Sequence, residues 1–296
     1  MSEQDWLAQR FEEHRRRLRA VAYRMLGSVS EADDAVQEAW LRLSGSEPGE
    51  IENLSGWLTT VVARVSLNML RSRAVRREEP LSPHLPDPIV DRADGIDPEH
   101  EALLADSVGL ALLVVLETLT PPERLTFVLH DMFGVPFEEI ASLIDRSPQA
   151  ARQLASRARR RVRAQPTTPD VGVSAQREVV NAFLAAAREG DFDALVATLD
   201  PDVVLRADGG PALAAASAEV RGALDVARRA VMWSRVDLTM HPALVNGAAG
   251  VVATRNGVVF TIASVIVRNG KIAEMDFLAD PERLARLDLT ILDDRD

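Results

Sequence analysis

The stretch VPFEEIASLIDRSPQAARQLASRARRRVR, residues 135–163, decides how the middle of this chain folds. Its apolar spacing predicts a short amphipathic helix over 137–144, a turn at 145–146 and a second helix after it. Ser147 is a favourable N-cap. Pro148 suits the first helical position, because the N–H that proline lacks would have no helical partner there. The pattern is that of a helix-turn-helix, a frequent DNA-binding motif.

The second helix of this motif has two contrasting faces. Apolar residues at helical spacing predict the buried face: Ala151, Leu154, Ala155, Ala158 and Val162. Polar and basic residues form the outer face: Gln149, Arg152, Gln153, Ser156, Arg157, Arg159 and Arg160. Arginine provides cations for phosphates and forked donors for base edges, so this face is typical of a helix in the major groove. The alternative is an ordinary solvated helix end.

A second basic helix is predicted from residue 54 onward, after a polar loop at 44–53. Its polar and basic positions are Arg64, Asn68, Arg71, Arg73, Arg76 and Arg77, and no acidic residue occurs over 56–77. Such a helix suits phosphate contact and local base reading, although arginines at a helix C-terminus also complement the helix dipole. Two separate basic helices indicate two DNA contacts.

The helix before this loop carries a different surface. Ser30 is predicted to cap it, and its apolar stripe leaves an outer face of Asp34, Gln37, Glu38 and Leu41. An acidic face with one exposed leucine is a candidate protein-binding surface. A simple solvated face is the alternative, since isolated exposed apolar residues are common.

The composition excludes several classes of protein. The net charge of −11 argues against a general nucleic-acid coat and favours local basic patches. The chain has no cysteine, and its five histidines lack the spacing of metal ligands, so we expect no metal and no cofactor. The apolar run at 103–119 is too short and too polar to span a bilayer. We therefore expect a cytoplasmic protein without a membrane partner.

Composition shifts divide the chain into four parts. Residues 1–78 and 101–165 are helical, and residues 79–100 form a linker with five prolines. Residues 174–296 predict an α+β domain with one or two helices, at 175–188 and 191–199, followed by a curved antiparallel sheet. Its strands are predicted at 203–207, 236–240, 250–255, 258–267 and 271–278. Asn-Gly pairs at 256–257 and 269–270 predict tight hairpins.

Three segments read in order resemble one protein family. EADDAVQEAWLRL (31–43), SGWLTTVVARVSLNMLRSRAVRRE (55–78) and LTPPERLTFVLHDMFGVPFEEIASLIDRSPQAARQLASRARRRV (119–162) are similar to bacterial sigma factors of the extracytoplasmic-function group. The resemblance implies that the two helical domains are sigma regions 2 and 4. It also implies that the helix at 32–43 docks on the β′ clamp helices of RNA polymerase. Residues 44–77 would then open and read the −10 element, and the helix at 147–162 would read the −35 element.

The C-terminal domain resembles SnoaL-like domains, which are NTF2-like α+β cones around a pocket. Sigma factors with this extension form a subgroup whose motifs are partly present here. LPDP at 85–88 follows His84 where a tryptophan is usual, and Asp208-Gly209-Gly210 is followed by Pro-Ala in place of Gly-Lys. DPERL at 280–284 matches a C-terminal motif. The implied regulatory residues are Leu85, Pro86, Asp87, Pro88, Asp208, Gly209, Gly210, Asp280, Pro281 and Leu284.

Catalysis by the C-terminal domain has weak support in the sequence. The candidate groups are Asp208, Asp237, His241 and Asp276, and no pair of them has a catalytic spacing. Asp208 precedes two glycines and is interpreted as a turn residue, while His241 precedes a proline and is interpreted as the end of a strand. A fold resemblance alone does not carry an activity, so we expect no enzyme.

The sequence thus predicts a multidomain protein, with two all-α sigma domains and an α+β NTF2-like, SnoaL-like cone. The predicted function is that of a sigma factor that directs RNA polymerase core to promoters and is modulated by its own C-terminal domain. The expected partners are the β′ and β subunits of the core and promoter DNA, and a small-molecule ligand in the cone is a further candidate. The alternative is a helix-turn-helix repressor fused to a small-molecule-binding or catalytic SnoaL-like domain.

Overall fold

The structure is a computed structural model, which describes residues 3–46, 51, 53–76, 84–93, 95, 109–165, 168–287 and 289. It divides into two compact units. The helical unit contains the described residues up to 76 and residues 115–165. The C-terminal unit contains the described residues of 84–95, together with residues 109–114 and those after 165. The described part of the proline-rich segment therefore belongs to the C-terminal unit and is not a separate tether.

Helices α1 to α3 form the first part of the helical unit and α5 to α7 the second part, while α4 contains residues of both units. Their bounds are α1 Glu3–Leu26, α2 Val29–Ser44, α3 Leu54–Arg76, α4 Leu110–Glu117, α5 Pro121–Phe127, α6 Phe137–Leu143 and α7 Pro148–Arg163. A single π-helical turn, Val128–Met132, continues α5. The predicted apolar stripe of α2 is buried, comprising Ala32, Ala35, Val36, Ala39 and Leu43. The predicted cap of α2 is wrong by two residues, since Ser28 is the extended N-cap and Ser30 lies inside the helix.

The helix-turn-helix forms as predicted. Asp145 makes the turn with a positive φ of 52°, which aspartate tolerates better than most residues. The Ser147 hydroxyl accepts a hydrogen bond from the N–H of Ala150 at 3.2 Å, and Pro148 opens α7. Ala151, Ala155 and Ala158 are buried on its inner face. These small side chains allow α7 to pack closely on α5 and α6.

Among its described residues, the C-terminal unit has four further α-helices and one sheet. The helices are α8 Val173–Glu189, α9 Phe192–Thr198, α10 Ala223–Trp233 and α11 Pro281–Leu284. The strands are β1 Val90–Arg92, β2 Leu199–Asp208, β3 Ala218–Arg221, β4 Thr239–Val245, β5 Ala248–Arg255, β6 Val258–Arg268 and β7 Lys271–Leu278. The sequence missed β1, β3 and α10, and it placed β4 too early. His241 consequently lies inside β4 and does not end a strand.

The seven strands are ordered β1-β4-β5-β6-β7-β2-β3. The expectation of a purely antiparallel sheet is wrong for one pair, because β2 and β7 run parallel. The predicted hairpins at 256–257 and 269–270 form, with positive φ at both residues of each turn. A third Asn-Gly pair, at 246–247, makes the same turn between β4 and β5.

One face of the sheet packs against α8, α9 and α10. Side chains from β2, β5, β6 and β7 alternate toward this face because successive residues of a strand point to opposite sides. The cluster includes Val180, Phe183, Leu195, Val203, Leu205, Val226, Val251, Val265 and Met275. Apolar side chains thus fill the space between the sheet and the helices. The observed architecture is the multidomain all-α plus α+β arrangement that the sequence predicted.

Candidate nucleic-acid interface and linker site

The outer face of α7 is polar and accessible. Gln149, Arg152, Gln153, Ser156, Arg157 and Arg160 are exposed, and Arg159 is half-buried. Several of these arginines have acidic neighbours inside the helical unit. Arg152 Nη2 lies 2.8 Å from Glu138 Oε1, and Arg159 Nε lies 2.6 Å from Asp131 Oδ1. Arg160 makes no ion pair among the described residues, so its charge is available to a ligand.

The basic residues of α3 fall into two groups. Arg64, Asn68 and Arg71 are exposed. Arg73 instead forms an ion pair with Glu31 of α2 and donates to the carbonyl of Leu26 at 2.9 Å. These contacts join α3 to the adjacent ends of α1 and α2. Arg73 therefore has a structural role. Arg76 ends α3 and its side chain is outside the description, and Arg77 lies outside the described residues.

The predicted protein-binding face of α2 is also accessible. Asp34, Gln37 and Leu41 are exposed, and the Leu41 side chain is left 57% accessible. Glu38 pairs with Arg42 one turn later. A groove of about 310 Å³ runs from this face to α3, and its polar lining includes Glu31, Glu38, Arg42, Asn68 and Ser72. The acidic face and the predicted −10 residues are therefore neighbours.

The two helical domains contact each other within the helical unit. The Arg124 guanidinium is buried, donates to the carbonyl of Arg24 at 3.1 Å and pairs with Glu117 at 2.8 Å. The Arg24 guanidinium lies 5.0 Å from the Phe133 ring centre. Helix α3 also packs against α5 and α6. The two basic helices are thus held in one compact body.

The three predicted regulatory motifs come together in the C-terminal unit, and Arg283 joins them. Its guanidinium donates to Asp87 Oδ1 at 2.5 Å and 2.9 Å, to the Leu85 carbonyl at 2.6 Å and to Asp208 Oδ2 at 2.8 Å. Asp208 Oδ2 also accepts from the N–H of Leu85 at 2.9 Å. Leu85, Asp87 and Asp208 are all buried. We call Leu85, Asp87, Asp208, Asp280 and Arg283 the linker anchor.

The remaining motif residues shape this anchor. Asp280 caps α11 by accepting from the N–H groups of Glu282 and Arg283, which directs the Arg283 side chain. Gly210 has a φ of +61°, and a Cβ there would overlap the Asp280 carboxylate. Leu284 is buried, and Pro281 is the first residue of α11. Sequence reasoning missed Arg283, although it is the basic residue inside DPERL.

The linker itself continues as a strand of the sheet. Ile89 exchanges hydrogen bonds with Asn246 at 2.8 and 3.1 Å, and β1 pairs with β4 over three residues. Backbone pairing and the linker anchor thus fix residues 85–92 at two places. No sequence pattern indicated β1, because proline-rich segments usually lack regular structure.

A buried charge cluster occupies the other face of the sheet. Arg206 of β2 lies 3.1 Å from both Glu274 and Asp276 of β7, and 3.8 Å from Glu219 of β3. Burial raises the pKa of Asp276 to about 6, against the attraction of Arg206. Burial also raises the pKa of Glu274, again opposed by Arg206. Both pKa values rise because the effect of burial outweighs the attraction of the one guanidinium that the two carboxylates share.

The four residues considered for catalysis do not form a common site. Asp208 belongs to the linker anchor, Asp276 to the charge cluster, and Asp237 is exposed. His241 Nε2 lies 2.9 Å from Thr254 Oγ1. Among the described residues, no group of histidine and carboxylate side chains is arranged to hold a metal ion. Within the same residues, no helix has the length and apolarity needed to cross a membrane.

Comparisons with known proteins agree with the presence of two helical domains in the first part of the chain. Residues 10–76 match the Sigma-70 region 2 family, and residues 109–162 match the Sigma-70 region 4 family. The ECF RNA polymerase sigma factor SigJ of Mycobacterium tuberculosis is 40% identical, with 92% of this chain and 91% of that protein covered. The probable ECF sigma factor SigI of the same species is 34% identical, with 96% and 97% covered.

A solved structure supports the same relationship. The crystal structure of Mycobacterium tuberculosis SigJ superposes with a TM-score of 0.74 at 36% identity, and the match covers 95% of this chain and 99% of that one. A plain helix-turn-helix repressor would not account for the region 2 match over α1 to α3. Both helical domains and the full-length relatives therefore lead to one assignment: this chain belongs to the extracytoplasmic-function sigma factors, which direct RNA polymerase core to promoter DNA.

Proposed function

We propose that the C-terminal domain modulates this sigma factor by holding the linker between its two helical domains. The observation that carries this proposal is the Arg283 guanidinium, which bonds to the Leu85 carbonyl, Asp87 and Asp208. A buried, charge-assisted network of this kind is costly to break, because removal of one partner leaves buried charges unpaired. The linker path therefore depends on the C-terminal domain.

We further propose roles for the exposed faces of the helical domains. The outer face of α7 would read the −35 element, with Arg152 and Gln153 at base edges and Arg157, Arg159 and Arg160 at phosphates. Arg64, Asn68 and Arg71 of α3 would serve the −10 element, as would Arg76 and Arg77. The support is the exposure of Arg64, Asn68 and Arg71 on α3 and of Arg152, Gln153, Arg157 and Arg160 on α7. In addition, the sequence has no acidic residue over 56–77 or over 146–163.

The proposed polymerase surface is the α2 face of Asp34, Gln37, Glu38 and Leu41, with β′ as its partner. Charge complementarity guides such contacts, and the exposed leucine offers an apolar anchor. For the C-terminal domain we propose direct control through the linker. A small molecule in the cone would have to displace apolar side chains that now fill it, such as Leu205 and Val265.

Transcription with purified core polymerase tests the linker role. We expect a chain ending at residue 279 to be more active than the full chain, since it lacks Arg283 and therefore the contacts by which Arg283 holds the linker. A chain ending at residue 165 should be impaired, since it loses the whole domain that orders the linker. The point variant Arg283→Ala should behave like the chain ending at 279. Arg286→Ala is the matched control, because Arg286 is exposed and lies outside the linker anchor.

The proposal fails if the full chain, both truncated chains and Arg283→Ala transcribe equally well. It also fails if Arg286→Ala changes activity as much as Arg283→Ala, since the effect would then reflect charge alone. Amide hydrogen exchange at Leu85 provides a second measurement, because its N–H donates to Asp208 in the intact network. Exchange at this amide should accelerate in Arg283→Ala and remain unchanged in Arg286→Ala.

A further inference from the structure

Three side chains of the helix-turn-helix form a stack that ends at Arg152. The His130 ring lies over the Phe137 ring, with centres 3.8 Å apart and planes inclined by 27°. The Arg152 guanidinium carbon lies 5.4 Å from the Phe137 ring centre. His130 Nδ1 is 3.0 Å from the carbonyl of Val135, which fixes the orientation of the first ring. The stack thus connects the end of α5 to α6 and α7.

Glu138 holds the same guanidinium from a second direction. Its Oε1 accepts from Arg152 Nη2 at 2.8 Å, across the turn between α6 and α7. Arg152 and Glu138 are both more than half exposed, so this pair contributes little to the stability of the fold. The neighbouring Glu139, also exposed on α6, makes no ion pair among the described residues. The arrangement therefore holds Arg152 between a ring and a carboxylate, whereas Arg160 on the same face makes no ion pair among the described residues.

A constrained arginine suits base reading better than a mobile one. A free arginine side chain loses rotamer freedom when it binds, and prior ordering reduces that loss. A guanidinium has five N–H donors, and one bond to Glu138 leaves four. Two of these suffice for a bidentate contact to one base.

We propose that Glu138 and Phe137 are positioning residues that set the base preference of Arg152 at one position of the −35 element. This inference rests on the proposed base-reading role of α7. Glu138 also places a negative charge beside the DNA, which repels phosphates and lowers affinity for every sequence. Glu138 therefore increases discrimination between bases and lowers the general affinity for DNA.

Two opposite effects distinguish this role from a structural one. Glu138→Ala should raise the affinity of the holoenzyme for non-specific DNA, because a negative charge is removed. The same variant should lower discrimination at one −35 position by about threefold to tenfold, because Arg152 loses its support. Glu139→Ala is the matched control, since it removes the same charge from the next position of α6. It should raise non-specific affinity without changing discrimination.

The experiment uses the full chain with core polymerase on a promoter library randomised across the −35 element. Arg152→Ala first identifies the position that Arg152 reads. Glu138→Ala and Phe137→Leu should relax preference at that same position, while Glu138→Gln, which keeps a carbonyl acceptor, should restore most of it. Thermal unfolding of each variant checks the fold, and Glu138→Gln remains informative if Phe137→Leu is unstable.

The outcomes separate the two proposals. If Arg152→Ala relaxes one position and Glu138→Ala leaves it unchanged, the positioning role is wrong and base reading by α7 stands. If Glu138→Ala and Glu139→Ala relax preference equally, the effect is one of charge and the positioning role is again wrong. If Arg152→Ala relaxes no position, both the base-reading role and the inference built on it are overturned.

Discussion

The arginines of this protein differ in whether neighbouring carboxylates bind their guanidinium groups. Arg206 and Arg283 are largely buried among carboxylates and order the C-terminal unit. Arg73 is engaged by Glu31, whereas Arg160 extends from α7 without an ion pair among the described residues. All four look alike in the sequence, where arginine supplies nearly every positive charge. The neighbours of each guanidinium decide whether it stabilises the fold or remains available to a ligand.

Asp276→Asn should change how stability depends on pH. Burial raises the pKa of Asp276 from its ordinary value of 3.8 to about 6, against the attraction of Arg206. The folded state therefore binds this proton more tightly than the unfolded chain. As pH rises from about 4 through 6, ionisation lowers the free energy of unfolding by up to about 3 kcal/mol. The asparagine side chain of the variant cannot ionise, so the variant should gain stability over the wild type above pH 6.

Thermal unfolding between pH 4 and pH 8 measures this difference. The gain should be largest at pH 8 and should shrink toward pH 4, where the wild-type carboxyl is protonated in the folded state. Asp237→Asn is the control, because Asp237 is exposed. A constant difference between Asp276→Asn and wild type across the range would contradict the assigned burial effect.

Short helices and helix caps in this fold orient the side chains that follow them. Helix α11 has four residues, yet its Asp280 cap directs Arg283 into the linker anchor. The cap of α7 at Ser147 similarly sets where Arg152 and Gln153 emerge. A helix as short as α11 is not stable alone, so its cap and tertiary contacts must hold it.

Gly210→Ala should loosen α11 and the linker together. A Cβ at this position meets the Asp280 carboxylate, and the positive φ of +61° adds strain. Asp280 would have to move and would weaken its cap on Glu282 and Arg283. We expect a loss of about 1–3 kcal/mol and faster amide exchange at Leu85.

Gly257→Ala separates backbone strain from this contact. Gly257 also has a positive φ, of +77°, and a Cβ there would meet nothing within 4 Å. This control should cost about 1 kcal/mol and leave exchange at Leu85 unchanged. Equal exchange at Leu85 in both variants would show that Gly210 does not support the anchor.

The helical unit as a whole is too compact to contact both promoter elements at once. The −10 and −35 elements are named for their promoter positions, which are about 25 base pairs apart. This separation corresponds to about 85 Å of B-DNA. Helix α3 packs against α6, and α6 packs against α7. Since α3 itself is about 35 Å long, the two basic helices cannot span that distance as they are arranged here. If α3 and α7 read the −10 and −35 elements as proposed, we expect the unit to open when polymerase and promoter bind.

A distance measurement in solution tests this opening. The chain has no cysteine, so Glu13→Cys on α1 and Ser142→Cys on α6 provide two selective labelling sites on exposed positions. Energy transfer between the labels should be high in the free protein and should fall when core polymerase is added. Labels on Glu13→Cys and Ser44→Cys, both within the first helical domain, should show no change. An unchanged distance between positions 13 and 142 in the holoenzyme would contradict the required opening.

Local features of the sequence determined the helix-turn-helix, the buried stripe of α2 and the Asn-Gly hairpins. Each depends on residues within a few positions of one another, through side-chain periodicity, a cap or a positive φ. The tertiary structure alone decided the β1 strand in the linker, the parallel pairing of β2 with β7 and the contacts of Arg283. Asp87 and Arg283 are 196 residues apart, and no local pattern specifies a contact of that range. Such contacts form because a buried charge is unfavourable unless an opposite charge pairs with it, and the fold determines which oppositely charged residue lies close enough to do so.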